Sequence, residues 1–280
     1  MIKSLIGGFA QIAAKPQVLI AGIIATIVQF AIAYLTIEPL VNLVEKAFIL
    51  QELPNVGLIE LPLQFYRMYF AEVNVLILAL LASMIVQLWL GVTIARFANN
   101  LRDGKKGISE ALGFGIKHLG KIIAAIVFLV FVAALFFAAF QAIVWLSDYT
   151  IELSIALTAL LALFTAYVYV KLVFFIPIMG CRQANVHDAL AEAWNFSVKK
   201  FWKIVLLLVL VAVVAGIIEL VGSTIAEIPG NETAFIVILA VFSIIASTYS
   251  ALVLANYYLN HEGEHPKMFY EARQRRKSRK

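Results

Sequence analysis

Charge is what this chain has least of. Asp, Glu, Lys and Arg make up 14% of its 280 residues, against about 25% in a soluble globular domain. That scarcity excludes both a water-soluble fold and a disordered, highly charged chain. Cysteine is scarcer still: Cys181 stands alone, which rules out a disulfide framework and any multi-cysteine zinc or iron–sulfur centre. No Gly-rich phosphate loop, no Gly-x-Ser-x-Gly elbow and no pair of carboxylates inside an apolar stretch occurs. What fills the space is hydrocarbon, at 63% hydrophobic residues and a mean hydropathy of +0.94. The pI of about 9.2 reflects a net charge of only +5, too little to make nucleic acid a partner. The chain reads as an all-α, polytopic integral membrane protein.

A spanning helix needs about 20 predominantly apolar residues. Gaps between charges supply six such stretches, near 17–37, 73–97, 121–147, 151–178, 203–223 and 232–258. None alternates with a period of two, which argues against a transmembrane barrel. The first is longer than the apolar core of a cleaved signal peptide and is expected to stay as a span. Placing both termini and the 98–120 and 179–202 loops on one side puts 20 of the 22 Lys and Arg residues there. The other side collects ten acids: Glu38, Glu45, Glu52, Glu60, Glu72, Asp148, Glu152, Glu219, Glu227 and Glu232. By the positive-inside rule both termini are cytoplasmic in a plasma-membrane protein. Residues 38–72 then form an outer cap, with an apolar face after Pro39, and 259–280 a basic cytoplasmic tail.

Two segments align without gaps at an offset of 82. Residues 110–123 overlie 192–205 so that Glu110 meets Glu192, Ala111 meets Ala193, Phe114 meets Phe196, Lys117 meets Lys199, Lys121 meets Lys203 and Ile122 meets Ile204. Each copy leads directly into a span, and a weaker third copy around Phe9 precedes the first. Such a repeat fixes architecture: an amphipathic helix followed by a membrane hairpin, three times over. Ile108, Ala111, Leu112, Gly115 and Leu119 share one helical face. In the later copy Val186, Leu190, Ala193, Trp194, Ser197 and Phe201 share another. Helices of this kind lie in the headgroup plane with lysines toward phosphates, which makes Lys117, Lys121, Lys199, Lys200 and Lys203, with Arg275 and Arg276 of the tail, candidate lipid headgroup contacts.

The string Asp188-Ala189-Leu190-Ala191-Glu192-Ala193-Trp194, followed by Phe196 and by Phe201-Trp202-Lys203-Ile204 entering a Leu/Val span, resembles a superfamily of six-span membrane domains. It includes the membrane domain of some glycerophosphodiester phosphodiesterases and related prokaryotic families. The resemblance implies a six-helix membrane module without an assigned reaction; the chain is not expected to carry the soluble phosphodiesterase domain.

Three functions compete. Gln29, Gln87, Tyr167, Thr248 and Tyr249, with the intramembrane Lys171, could line a polar midplane cavity of a transporter or channel. The same positions also suit close helix packing, where small and polar residues recur every fourth place. Lys171 either snorkels to the headgroups or faces the bundle as a functional charge. Glu219 reads as interfacial. His261-Glu262-Gly263-Glu264-His265 matches the two-histidine zinc-protease spacing, yet Gly263 and Pro266 disfavour the helix that spacing requires. The favoured reading is a non-catalytic module without cofactor or metal, whose partners are membrane lipids and other membrane proteins.

Overall fold

A computed structural model describes residues 1–51, 69–104, 107–147, 150–182, 184–198 and 200–261. It is helical throughout, with no strand among the described residues. The helices are α1 (Ile2–Ala14), α2 (Leu19–Gln51), α3 (Phe70–Arg102), α4 (Ile108–Lys117), α5 (Leu119–Ser147), α6 (Ile151–Leu172), α7 (Phe175–Arg182), α8 (Val186–Val198), α9 (Phe201–Glu227) and α10 (Glu232–His261). Six stretches are long and apolar enough to cross a membrane, with α6 and α7 together making the fourth. The protein is a multi-pass membrane protein.

Two of these helices depart from the expected bounds. Helix α2 continues through Pro39 to Gln51, so the first part of the expected cap is an extension of the first span. Proline removes one backbone hydrogen bond, which a helix of 33 residues and about 50 Å absorbs. Residues 52–68, the rest of that cap, lie outside the described residues. The fourth span, expected to be continuous over 151–178, breaks after Leu172 and restarts at Phe175. Pro177 falls in the first turn of α7, where its missing N–H costs nothing. The buried Phe174 ring wedges the break, 4.8 Å from the Phe196 ring and 5.6 Å from that of Tyr257.

Helices α2–α3, α5–α6 and α9–α10 pack as hairpins, and α10 also meets α1, α2 and α3. Burial is concentrated at one end. The buried residues of α3 start at Leu88, past its midpoint, and those of α10 at Ile244, just before its midpoint. On α5 they are Ile122, Ala125 and Ile126, near its start. This is where both ends of the described chain meet, since Asn260 Nδ2 donates to Ser4 Oγ at 3.2 Å. Lys15, Arg102, Lys121, Arg182 and Lys203 lie at the same helix ends, whereas Glu72, Glu152, Glu227 and Glu232 mark the opposite ones. We refer to a basic end and an acidic end. Toward the acidic end, large apolar side chains such as Leu78, Leu135, Leu163 and Leu220 are exposed, which lipid tails tolerate as well as protein does.

Candidate functional site at the basic end

Three short helices, α1, α4 and α8, form a layer over the basic end, and each precedes a span. Helix α4 turns into α5 at His118, and α8 turns into α9 at Lys200, residues that coincide in the offset-82 alignment. The aligned positions also share environments. Ala111 and Ala193 are both fully buried, as are Ile122 and Ile204. Glu110 pairs with Arg96 at 3.0 Å, and Glu192 with Arg182 at 3.0 Å. Phe114 lies under the Arg96 guanidinium at 4.9 Å, and Phe196 under the Lys200 ammonium at 4.7 Å. Both short helices approach the span end closely through a small residue. A side chain at Gly115 would collide with Thr93 and Trp89, while Ser197 Oγ lies 3.2 Å from the Lys171 carbonyl.

The buried seam of α8 is Ala189, Ala193, Phe196 and Ser197, rotated from the expected face so that Trp194 is 41% exposed. Phe114 likewise joins Ile108, Ala111 and Gly115 in the buried seam of α4. Both copies miss the shared phenylalanine, and the later one Ala189 as well; the coincidence of the phenylalanines in the alignment was the available signal. Tyr258 adds to the α8 contact by donating from its hydroxyl to Glu192 at 2.6 Å.

Of the residues that could line a midplane cavity, Lys171 and Tyr167 come together at one place, and Thr248 and Tyr249 at another. Gln87 is exposed on α3 and Gln29 is half-buried. The stripe that contains Gln87 packs at Gly91 and Ala95 instead, where α7 sits, so the glutamine one turn away is not enclosed. Lys171 is 4% exposed, and its ammonium stands 5.3 Å from the Tyr167 ring and 5.4 Å from the Trp194 ring. It neither faces a central cavity nor reaches freely outward; two aromatic faces hold it beneath α8. Thr248 and Tyr249 are fully buried elsewhere, on the α10 face that meets Gly8 and Gly22. Their hydroxyl oxygens find no protein hydrogen-bond partner among the described residues. Glu219 is exposed and shares a cleft of about 420 Å³ with Ser223 and Ser243 near the acidic end.

Of the expected headgroup contacts, Lys117 and Lys203 are exposed at the basic end, and Lys121 and Lys200 are half-buried. Lys199, Arg275 and Arg276 lie outside the described residues, as does 262–265 of the histidine string. His261 is placed: its Nδ1 is 2.9 Å from the Tyr257 carbonyl within α10. The chain matches no family model, no curated protein and no solved structure. Among the described residues no group of three or more His, Cys, Asp or Glu is placed to hold a metal ion.

Proposed function

We propose that the chain is a non-catalytic module of the plasma membrane, with both termini cytoplasmic, that binds lipid headgroups and presents a platform to other membrane proteins. One observation carries this reading: the packed, ion-paired part of the molecule is the layer of short helices at the basic end, not a central cavity. Exposed Lys117 and Lys203 at the basic end suit lipid phosphates, and neighbouring apolar side chains such as Ile116 and Trp202, 60% and 79% exposed, suit the acyl boundary. The resemblance of 188–204 to six-span membrane domains supports the same reading. Native mass spectrometry of the full chain released from lipid discs tests it. Phospholipid retained on the protein is the expected result; release without any lipid would sink the reading.

A solute pathway is the second reading, favoured by the unpartnered hydroxyls of Thr248 and Tyr249, because buried polar atoms are ordinarily satisfied. Solute flux in proteoliposomes that is lost on combining Thr248→Val with Tyr249→Phe would put it first.

A further inference from the structure

We propose that the hairpin of α9 and α10 docks a transmembrane helix of a partner protein, one that carries a lysine or arginine level with Glu219. This surface lies toward the opposite end from the lipid-binding layer proposed above and stands without it. Its basis is a charge without a counter-charge. Glu219 is the only Asp, Glu, Lys or Arg between Lys203 and Glu227 on α9, and none lies between Glu232 and His261 on α10. Its side chain is exposed, and among the described residues no hydrogen bond or ion pair reaches the carboxylate.

Depth makes that costly. Glu219 stands eight residues before Glu227, about 12 Å along the axis of α9. A helix of 27 residues is about 40 Å long, about 10 Å more than the hydrocarbon core it crosses. With that excess shared between its two ends, Glu219 lies inside the core. The Cβ of a helical residue tilts toward the helix N-terminus, here toward the basic end. The short side chain therefore leans away from the nearer surface and cannot snorkel back. Charges at such depth pair, or face the bundle interior or a water-filled space. Glu219 does neither within this chain.

The groove around it suits a helix. Glu219 lines a cleft of about 420 Å³ with Gly216, Leu220 and Ser223 of α9 and with Leu239, Phe242 and Ser243 of α10. The four α9 residues recur at helical spacing on one stripe. A Cβ on Gly216 would meet nothing within 4 Å, whereas one on Gly222 would come within 2.5 Å of the Phe242 Cβ. The two helices are thus closely packed on each other beside an open surface, where small residues at 216, 223 and 243 let another backbone approach. A lipid tail would fill the groove but offers the carboxylate nothing. A second copy inserted the same way brings no base to this level, because every Lys and Arg within the six spans stands toward the basic end. Charge complementarity calls for a base from another protein.

The test uses the full chain in phosphatidylcholine discs with a synthetic Leu/Ala transmembrane peptide, its one lysine two turns from the outer end. Native mass spectrometry counts the peptide retained. Wild-type protein is expected to hold one such peptide, about tenfold better than the same peptide with leucine in place of the lysine. Glu219→Gln should erase that preference without lowering the melting temperature, since the carboxylate has no partner in the chain to lose. Glu219→Lys should transfer the preference to a peptide with glutamate at that place. Equal retention of the lysine and leucine peptides by the wild type would overturn the proposal, as would a preference that survives Glu219→Gln. A wild-type dimer that Gly216→Leu dissolves would make a second copy the occupant and overturn the partner assignment. The same spectra report bound phospholipid: its absence sinks the lipid-module reading alone, and the peptide preference is judged independently of it.

Discussion

At the scale of single residues, the two aligned ion pairs separate by environment. In the Arg182–Glu192 pair both side chains are 16% exposed, and the Tyr258 hydroxyl adds a third member. Removing one charge of a nearly buried pair takes away an interaction that water does not replace, at about 3 kcal/mol. In the Arg96–Glu110 pair the arginine is 11% but the glutamate 47% exposed, so water reaches the carboxylate end and takes its place against the guanidinium, and the loss stays below about 1 kcal/mol. Glu192→Gln is therefore expected to lower the melting temperature clearly and Glu110→Gln hardly at all. Cys181 supplies the reporter: it is 7% exposed and the chain's only thiol, so a thiol-reactive dye reads its exposure on heating. Equal shifts for the two variants would contradict the argument. Lys171 allows a second test. Each cation–ring contact contributes about 0.5–2 kcal/mol depending on desolvation. Lys171→Met should cost about 1 kcal/mol in wild-type protein and much less in a Trp194→Leu background. Additive effects would show that the ammonium draws its stabilisation from elsewhere.

At the scale of elements, the break between α6 and α7 decides how the basic end is assembled. Helix α7 lies so close to α3 that a Cβ on Gly180 would come within 2.5 Å of the Val92 carbonyl and 2.6 Å of the Ala95 Cβ. The Cys181 thiol completes the contact, 3.4 Å from the Ala95 carbonyl. Overpacking of this kind costs about 1–3 kcal/mol or more, because the obstacle is backbone rather than a flexible side chain. Gly180→Val should therefore loosen α7 and make Cys181 label at lower temperature than in wild-type protein. Phe174→Ala should do the same by emptying the wedge, at about 3–5 kcal/mol. If Cys181 stays protected to the wild-type temperature in both variants, the close approach is not what holds α7. The break was only half legible in the sequence. Pro177 is compatible with a helix start, although the span was expected to run through it, and an apolar run of unbroken hydropathy gives no sign that Phe174 turns inward, since hydropathy records burial from water and not packing against protein. For the same reason the polar stripe on α3 left packing and cavity open: Gln87 shares its helix face with Gly91 and Ala95, and only the position of α7 decides which of them is covered.

At the scale of the whole molecule, the spans were readable because a bilayer imposes length and composition on any helix that crosses it. Glu72, Glu152, Glu227 and Glu232 lie at one set of helix ends, and Lys15, Arg102, Arg182 and Lys203 at the other. Which residues converge at the basic end was less readable. The hydrogen-bonded Gln11–Asn256 amide pair joins positions 245 apart, a distance that no local pattern can span. The charge asymmetry carries a prediction about sidedness, because lysine and arginine in short loops are retained on the cytoplasmic face during insertion. Lys117 is exposed at the basic end and Ile228, 78% exposed, lies beyond α9 at the acidic end. With Cys181 replaced by serine, Ile228→Cys should react with a membrane-impermeant maleimide added outside sealed cells, and Lys117→Cys only after the membrane is opened. Labelling of Lys117→Cys in sealed cells would invert the topology. The basic layer would then meet the outer leaflet rather than the more anionic inner one.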